Sequence, residues 1–271
     1  MARDGVAVRR SMVVLALGAM AFSQVGAAER PAVDVERGRQ LYGSRCAVCH
    51  GADGDGRGPA AAGMDPPPRD FTKGQFRVRS TRPGDAPSDE DLFQTVSRGL
   101  AGTPMPAWGG LSEADRWALV DVVKSFSPRF SGPKPVALSM PDPPDLSGSA
   151  VVRGSVAFRR FGCVDCHGES GRGDGPSARG LTDASGRPIK PFDMTTGRPK
   201  RGNAAAELFF VVQSGIEGTP MPGYAAALSA ADTWDLVAFV RSLGGGSAVT
   251  AAPGRSAAGY AAAARGAVAP N

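Results

Sequence analysis

Apolar residues recur at helical spacing in two stretches far apart in the chain: Leu119, Val122, Val123 and Phe126, then Leu236, Phe239, Val240 and Leu243. Each stripe follows a Ser-x-x-Asp sequence, Ser112-Glu-Ala-Asp115 and Ser229-Ala-Ala-Asp232, which suits a helix-starting capping box with Asp in place of Glu. Asp34 is a suitable cap for an earlier helix running to about Arg45, and a counterpart begins near Ser149 and carries Val152, Val156 and Phe158. Asp89 to Arg98 and Ala205 to Gln213 read as middle helices. Strand-like alternation is weak throughout, so the pattern predicts an all-α chain.

The helices fall into two copies of one unit. At an offset of 117, Cys46 maps to Cys163, and Gly54, Gly56 and Gly58-Pro59 map to Gly171, Gly173 and Gly175-Pro176. Pro68-Arg-Asp70-Phe-Thr72 resembles Pro191-Phe-Asp193-Met-Thr195, and Leu92-Phe93 maps to Leu208-Phe209. Gly102-Thr-Pro-Met105-Pro106 maps to Gly218-Thr-Pro-Met221-Pro222, and Trp117 maps to Trp234. The order of landmarks is the same in both copies. Two tandem domains are expected over residues 29–126 and 150–243. Between them, residues 127–149 hold six prolines, which predicts an extended, stiff linker over the surface.

The two ends differ from the middle. Arg3, Arg9 and Arg10 precede an apolar run from Met12 to Phe22, and Val25-Gly-Ala-Ala28 offers small residues for cleavage. This reads as a secretory signal peptide over residues 1–28, its apolar run being too short to span a bilayer. Its removal lowers the net charge from +5 to +3. No Lys/Arg-rich block stands apart from the acidic residues, so nucleic acid is not an expected partner. Residues 244–271 are mostly Gly, Ala, Ser and Pro with isolated Arg, and read as a disordered tail.

Composition narrows the chemistry. Aromatic residues make up only 7% of the chain, which leaves each unit little with which to fill a centre. The chain has four Cys and two His, and all six sit in Cys46-Ala-Val-Cys49-His50 and Cys163-Val-Asp-Cys166-His167. None remains for a Ser-His-Asp triad, a Cys-His nucleophile pair or a separate zinc site. C-x-x-C-H is the attachment sequence of c-type haem. Two thiols on one helical turn reach the two porphyrin vinyl groups, and the adjacent His supplies a nitrogen to iron. A C-x-x-C redox pair or half a zinc site is the alternative. Against it, His follows the second Cys both times and the flanking sequence repeats.

With both His used, the sixth iron ligand must be another group, and Met is the obvious donor. Beyond the leader the chain has Met64, Met105, Met140, Met194 and Met221. Only Met105 and Met221 hold matching places, each between prolines that fix φ and stiffen the loop. Met64, Met140 and Met194 read as core filler.

In these motifs, C-x-x-C-H-G-x-x-G-x-G-x-G-P and G-T-P-M-P, the chain resembles the class I c-type cytochromes in a tandem dihaem form. The resemblance covers about residues 33–126 and 150–243. It implies two cytochrome c-like domains whose first and last helices cross, with Gly38/Tyr42 and Gly154/Phe158 at the crossings opposite Trp117 and Trp234. Those Trp fit either a direct haem contact or an ordinary core. Arg79 and Arg201, before the middle helices, are candidates to pair with haem carboxylates, a solvated surface position being the alternative. Two covalently attached haem c groups follow, on Cys46, Cys49, Cys163 and Cys166, with His50, Met105, His167 and Met221 on the irons.

The expected role is a periplasmic electron carrier, exported and soluble, with no membrane span once the leader is removed. It would pass single electrons from a dehydrogenase or reductase to an oxidase or second cytochrome. A dihaem enzyme, peroxidase or thiosulfate-oxidising, is the rival reading. So is a cytochrome subunit of a periplasmic dehydrogenase complex. A peroxidase needs one iron with a displaceable ligand, whereas both units carry the same Met loop; the chain is therefore read as non-enzymatic. Purified protein is expected to carry two haems per chain that acid acetone does not extract. Cys46→Ala should weaken or lose one attachment and leave the other, as pyridine haemochrome absorbance will show, and a single haem in the wild type would overturn the tandem reading.

Overall fold

A computed structural model describes Met1 and residues 30–245 apart from Arg201 and Asn203. Apart from Met1 the expected leader, together with Arg201 and all but the first two residues of the expected tail, lies outside the described residues.

In the first unit α1 (Val35–Leu41) continues through a π-helical turn (Tyr42–Cys46) into α2 (Ala47–His50). α3 (Asp89–Arg98) and α4 (Glu113–Ser125) complete it. The second unit runs α5 (Gly148–Arg160), α6 (Cys163–His167), α7 (Ala205–Ser214) and α8 (Ala230–Leu243). Among the described residues no strand forms, only two isolated antiparallel bridges, Thr81 with Ala137 and Thr182 with Pro188. The all-α expectation is met, and the middle helices sit where the periodicity put them.

The first helix of each unit departs from expectation at one matched position. Gly162 lies in the left-handed region (φ 74°) and separates α5 from α6. Its counterpart is Arg45, for which that region carries a Cβ penalty. The first unit instead widens the helix by one residue, with the Ala47 amide bonded to the Tyr42 carbonyl. Both solutions deliver a helical C-x-x-C-H.

The units are held together where the first and last helices cross. A Cβ on Gly38 would lie 2.8 Å from the Ala118 carbonyl oxygen, and one on Gly154 would fall well inside contact with the Asp235 carbonyl oxygen. α1 thus packs on α4, and α5 on α8, at backbone-to-backbone distance. Behind the crossings Trp117 stacks on Phe93 (centroids 4.2 Å apart), and Trp234 packs on Phe209 (4.6 Å). Both Trp are buried in apolar clusters, and neither lines the cavity described below, which settles them as core residues.

Residues 127–149 do more than span the gap. They open with a 3-10 turn (Pro128–Ser131), and the Leu138 amide donates to the Ser80 carbonyl at 2.8 Å. Met140 and Leu146 are then buried against Phe209, Phe210 and Trp234 of the second unit. The segment is stitched to the first unit and packed into the core of the second, so its apolar residues override the surface path that its prolines suggest.

Adding a methyl group at either crossing should force the helices apart. Gly154→Ala and Gly38→Ala are each expected to cost about 1–3 kcal/mol, with Gly154→Ala the worse. Gly43→Ala, whose Cβ meets nothing within 4 Å, should be neutral or stabilise by up to about 1 kcal/mol. Urea unfolding of the three variants checks the order.

Candidate haem sites

Each C-x-x-C-H is fixed by the glycine-rich loop behind it. In the first unit the Gly56 amide donates to the His50 carbonyl (2.8 Å) and the Gly58 amide to the Cys49 carbonyl (3.1 Å). Gly173 and Gly175 make the same bonds to His167 (2.8 Å) and Cys166 (3.2 Å). The loop thereby satisfies carbonyls that a four- or five-residue helix leaves open at its end, which accounts for a glycine pattern tied to the motif.

The imidazoles are oriented alike. His50 Nδ1 lies 3.0 Å from the Arg69 carbonyl oxygen, and His167 Nδ1 lies 3.3 Å from that of Phe192. A carbonyl only accepts, so Nδ1 carries the proton and Nε2 keeps its lone pair for a metal. Arg69 and Phe192 occupy the same place in the repeat. Burial pushes both imidazoles below the usual histidine value, so both are neutral at pH 7. Burial also pushes the Cys46 and Cys163 thiols up to about 11. That is the reverse of the lowered value of a redox-active C-x-x-C, and among the described residues no group of three or more His, Cys, Asp or Glu converges as a metal site.

The four Cys, both His, Met105 and Met221 line one cavity of about 2140 Å³ that runs through both units and has a largely apolar wall. A pocket for a single small ligand measures about 300–1,000 Å³. The volume, the apolar wall, two free imidazole nitrogens and two pairs of thiols fit two haem groups. The Met loops match internally. Leu100 N bonds to Met105 O (3.2 Å) and Met105 N to Thr103 Oγ1 (3.2 Å). Ile216 N and Met221 O (3.1 Å), with Met221 N and Thr219 Oγ1 (3.3 Å), repeat the pattern.

The remaining methionines divide. Met140 is buried in the second unit's core, outside the cavity wall. Met194 lines the wall, but it stands where the first unit has Phe71: its amide bonds to the Gly171 carbonyl (2.8 Å) as that of Phe71 bonds to Gly54 (2.7 Å). Phe71 stacks on His50 with centroids 4.4 Å apart. Met64 also lines the wall.

Arg79 does not reach the cavity. It is buried (4% exposed) and donates to the Asp85 and Ser214 carbonyls at 3.2 and 2.9 Å, joining the two units. Arg77, two residues earlier, lines the wall beside Arg69 and Arg187. Burial, then Arg77 and Arg187, holds the Arg69 guanidinium down to about 10. Sequence reasoning also missed Trp108 and Tyr224, which face the cavity and whose amides bond to Val96 and Val212 at 3.0 Å. Their signal was an aromatic residue two places beyond each G-T-P-M-P.

Two family models match the chain. Residues 33–121 match that of Cytochrome C oxidase, cbb3-type, subunit III, and residues 151–244 that of Cytochrome c. A curated relative, the Cbb3-type cytochrome c oxidase subunit CcoP of Azospirillum sp. (strain B510), is 28% identical over 216 residues; the match takes in 77% of this chain and 62% of that protein's length. A chain of the Kuenenia stuttgartiensis reducing HAO-like protein complex is 39% identical with a TM-score of 0.75, over 79% of this chain and 99% of that one. An all-α unit with a helical C-x-x-C-H at or just beyond the end of its first helix, present twice, defines a tandem haem-attachment protein. The chain belongs to the c-type cytochromes in their dihaem form, and its cofactors are two covalently attached haem c.

The turn beyond α6 has one strong anchor. The Asp183 carboxylate, 4% exposed, accepts from Ser185 N (2.9 Å), Ser185 Oγ (2.6 Å), Arg187 Nη2 (2.6 Å) and Arg77 Nη2 of the first unit (3.0 Å). Burial raises its pKa, but the bonds from Ser185 and Arg187 outweigh burial and hold the carboxyl far below the usual carboxylate range. A depressed folded value means the stabilisation is complete above the unfolded value and is lost as pH falls through the folded one. Asp183→Asn should therefore cost about 1–3 kcal/mol at pH 7, with the gap to wild type closing only in acid well below pH 3.8. Urea midpoints measured across pH test this.

Proposed function

We propose that the protein is an electron carrier of the periplasm, passing single electrons between redox proteins. In this reading Cys46, Cys49, Cys163 and Cys166 form the thioethers, His50 and His167 hold the irons through Nε2, and Met105 and Met221 complete them. The observation that carries the reading is that two oriented His and two matched, proline-braced Met all line the wall of one largely apolar cavity. Bound haem supplies the one-electron couple. The protein's part is to fix both ligands, exclude water and place basic groups: Arg69 lines the wall toward the cofactors' carboxylates, with Arg77 and Arg187 beside it already paired to Asp183. Met ligation and an apolar surround both favour a high potential. Export rests on the leader read over residues 1–28, and among the described residues no helix is long and apolar enough to cross a membrane.

A second reading has its own support. The relative named CcoP is an oxidase subunit, and the solved relative is part of a complex, matched over 99% of its chain. On this reading the donor or acceptor is a fixed neighbour in an assembly, with this chain as its cytochrome subunit. Native purification separates the readings, because a carrier elutes alone and a subunit elutes with a second redox protein.

Met105→Ala and Met221→Ala should each open one iron, so that reduced protein binds one carbon monoxide per chain where wild type binds none. The potential of the opened haem should fall in a potentiometric titration. Met64→Ala, Met140→Ala and Met194→Ala should leave the spectrum nearly unchanged. Peroxidase turnover in wild type would favour an enzyme instead.

A further inference from the structure

The two Met loops have the same internal bonds but different surroundings. The difference centres on Glu217, one residue before Gly218-Thr-Pro-Met221-Pro222. Its carboxylate accepts from Arg129 Nη1 at 2.8 Å and from the Phe76 amide at 3.2 Å, and it pairs with Arg79 Nη1 at 3.3 Å. Arg79 and Phe76 belong to the first unit, and Arg129 to the turn that follows it. The second guanidinium nitrogen of Arg79 donates to the Ser214 carbonyl (2.9 Å), where the loop leaves α7. At the far side of the loop Gly223 lies against Pro83, so close that a Cβ would come within 2.5 Å of Pro83 Cγ. Groups from outside the second unit therefore grip this loop at 214, 217 and 223.

Among the described residues the first loop lacks this grip at the places that match 217 and 223. Ala101 stands where the second unit has Glu217, and Ala101, Gly102 and Ala107 are all exposed. At the place that matches Ser214, Arg98 on the last turn of α3 pairs through its side chain with Glu207 of the second unit (2.8 Å), so the two loops share an interdomain contact where each leaves its helix and differ beyond it.

We infer that Glu217 is a positioning residue for Met221: a brace from the first unit holds the second Met loop in ligating form, so the second iron's Met ligation depends on docking of the two units and the first iron's does not. The inference rests on the reading of Met221 as a ligand. Physically, a loop held from both sides loses little entropy when its sulfur binds. Charge-assisted hydrogen bonds of this kind are the strong ones. Freed of them, the loop moves on its Gly218 and Gly223 hinges, and an added ligand competes better for the iron.

The test uses full-length ferric holoprotein titrated with imidazole and read in the far-red Met–Fe(III) band. Glu217→Gln should raise the imidazole affinity of one of the two haems about tenfold and leave the other unchanged. Arg129→Gln, which keeps Arg79 in place and guards against misfolding of the first variant, should act in the same direction. In a Met221→Ala background Glu217→Gln should add nothing, an outcome that general loss of stability would not produce. If Met221→Ala opens one haem while Glu217→Gln and Arg129→Gln bind imidazole as wild type does, the brace is refuted and the ligand reading stands. If Met221→Ala leaves both haems closed, the ligand reading fails and takes the brace with it.

Discussion

The structure depends on how closely the first and last helices of each unit approach. At Gly38 against Ala118, and more tightly at Gly154 against Asp235, one helix backbone rests on the other with no room for a side chain. That contact fixes the direction in which the first helix ends, and the C-x-x-C-H motif lies at that end. Arg153 reinforces the second crossing with a bidentate pair to Asp235 (2.7 and 2.8 Å). Tyr42, one turn beyond Gly38, donates to the Gly51 carbonyl (2.8 Å) and ties the crossing to the glycine loop that braces the motif. A chain with few aromatics can organise this way because close backbone packing needs small residues, and the cavity wall can then be drawn from loops.

What could be read from the sequence was what repeats. A residue that must stand at a fixed step from another recurs at the same offset, so the two C-x-x-C-H motifs, the glycine loop and the matched Met loops were legible by alignment, while the helix crossings came from the family resemblance. What depends on packing between distant segments was not. Nothing local to Arg79 tells that it turns away from the cavity toward Ser214, 135 residues on. Nothing in a proline-rich stretch tells that Met140 and Leu146 enter a core. The π-helical turn is an intermediate case, legible only in comparison: where one copy has Gly162 the other has Arg45, and the side chain decides between a left-handed break and a widened helix. The full capping box of α3, Ser88 with Asp91, was within reach of the pattern used at Ser112 and Ser229, but charged neighbours obscured it.

The two units thus share their chemistry and differ in how it is supported. The carbonyl that orients each imidazole is in the same place, yet the side chain beyond it is Phe71 in one copy and Met194 in the other. α3 begins with a capping box, whereas α7 begins at Ala204 with no side-chain cap. Attachment demands only the spacing of two thiols, an imidazole and a loop that holds them, so those features match. Potential responds to everything around the haem, including hydrogen bonds, burial and charge. Two sites with matched candidate donors and unlike neighbours are expected to differ in potential.

Docking of the units gives the differences a common cause. A free domain could meet all of its needs symmetrically, but here each unit completes the other with different groups. Arg77, Arg79, Phe76 and Arg129 reach from the first unit and its adjoining turn toward Asp183 and Glu217, while Arg98 pairs with Glu207 on the second. These ion pairs are partly or fully withdrawn from water, where an unpaired partner costs far more than the pair contributes. The interface therefore tolerates little rearrangement, and the linker, bonded to Ser80 on one side and buried beside Trp234 on the other, narrows it further. A cavity that crosses such an interface has its wall fixed by both units at once, so the surroundings of either haem site are a property of the whole chain.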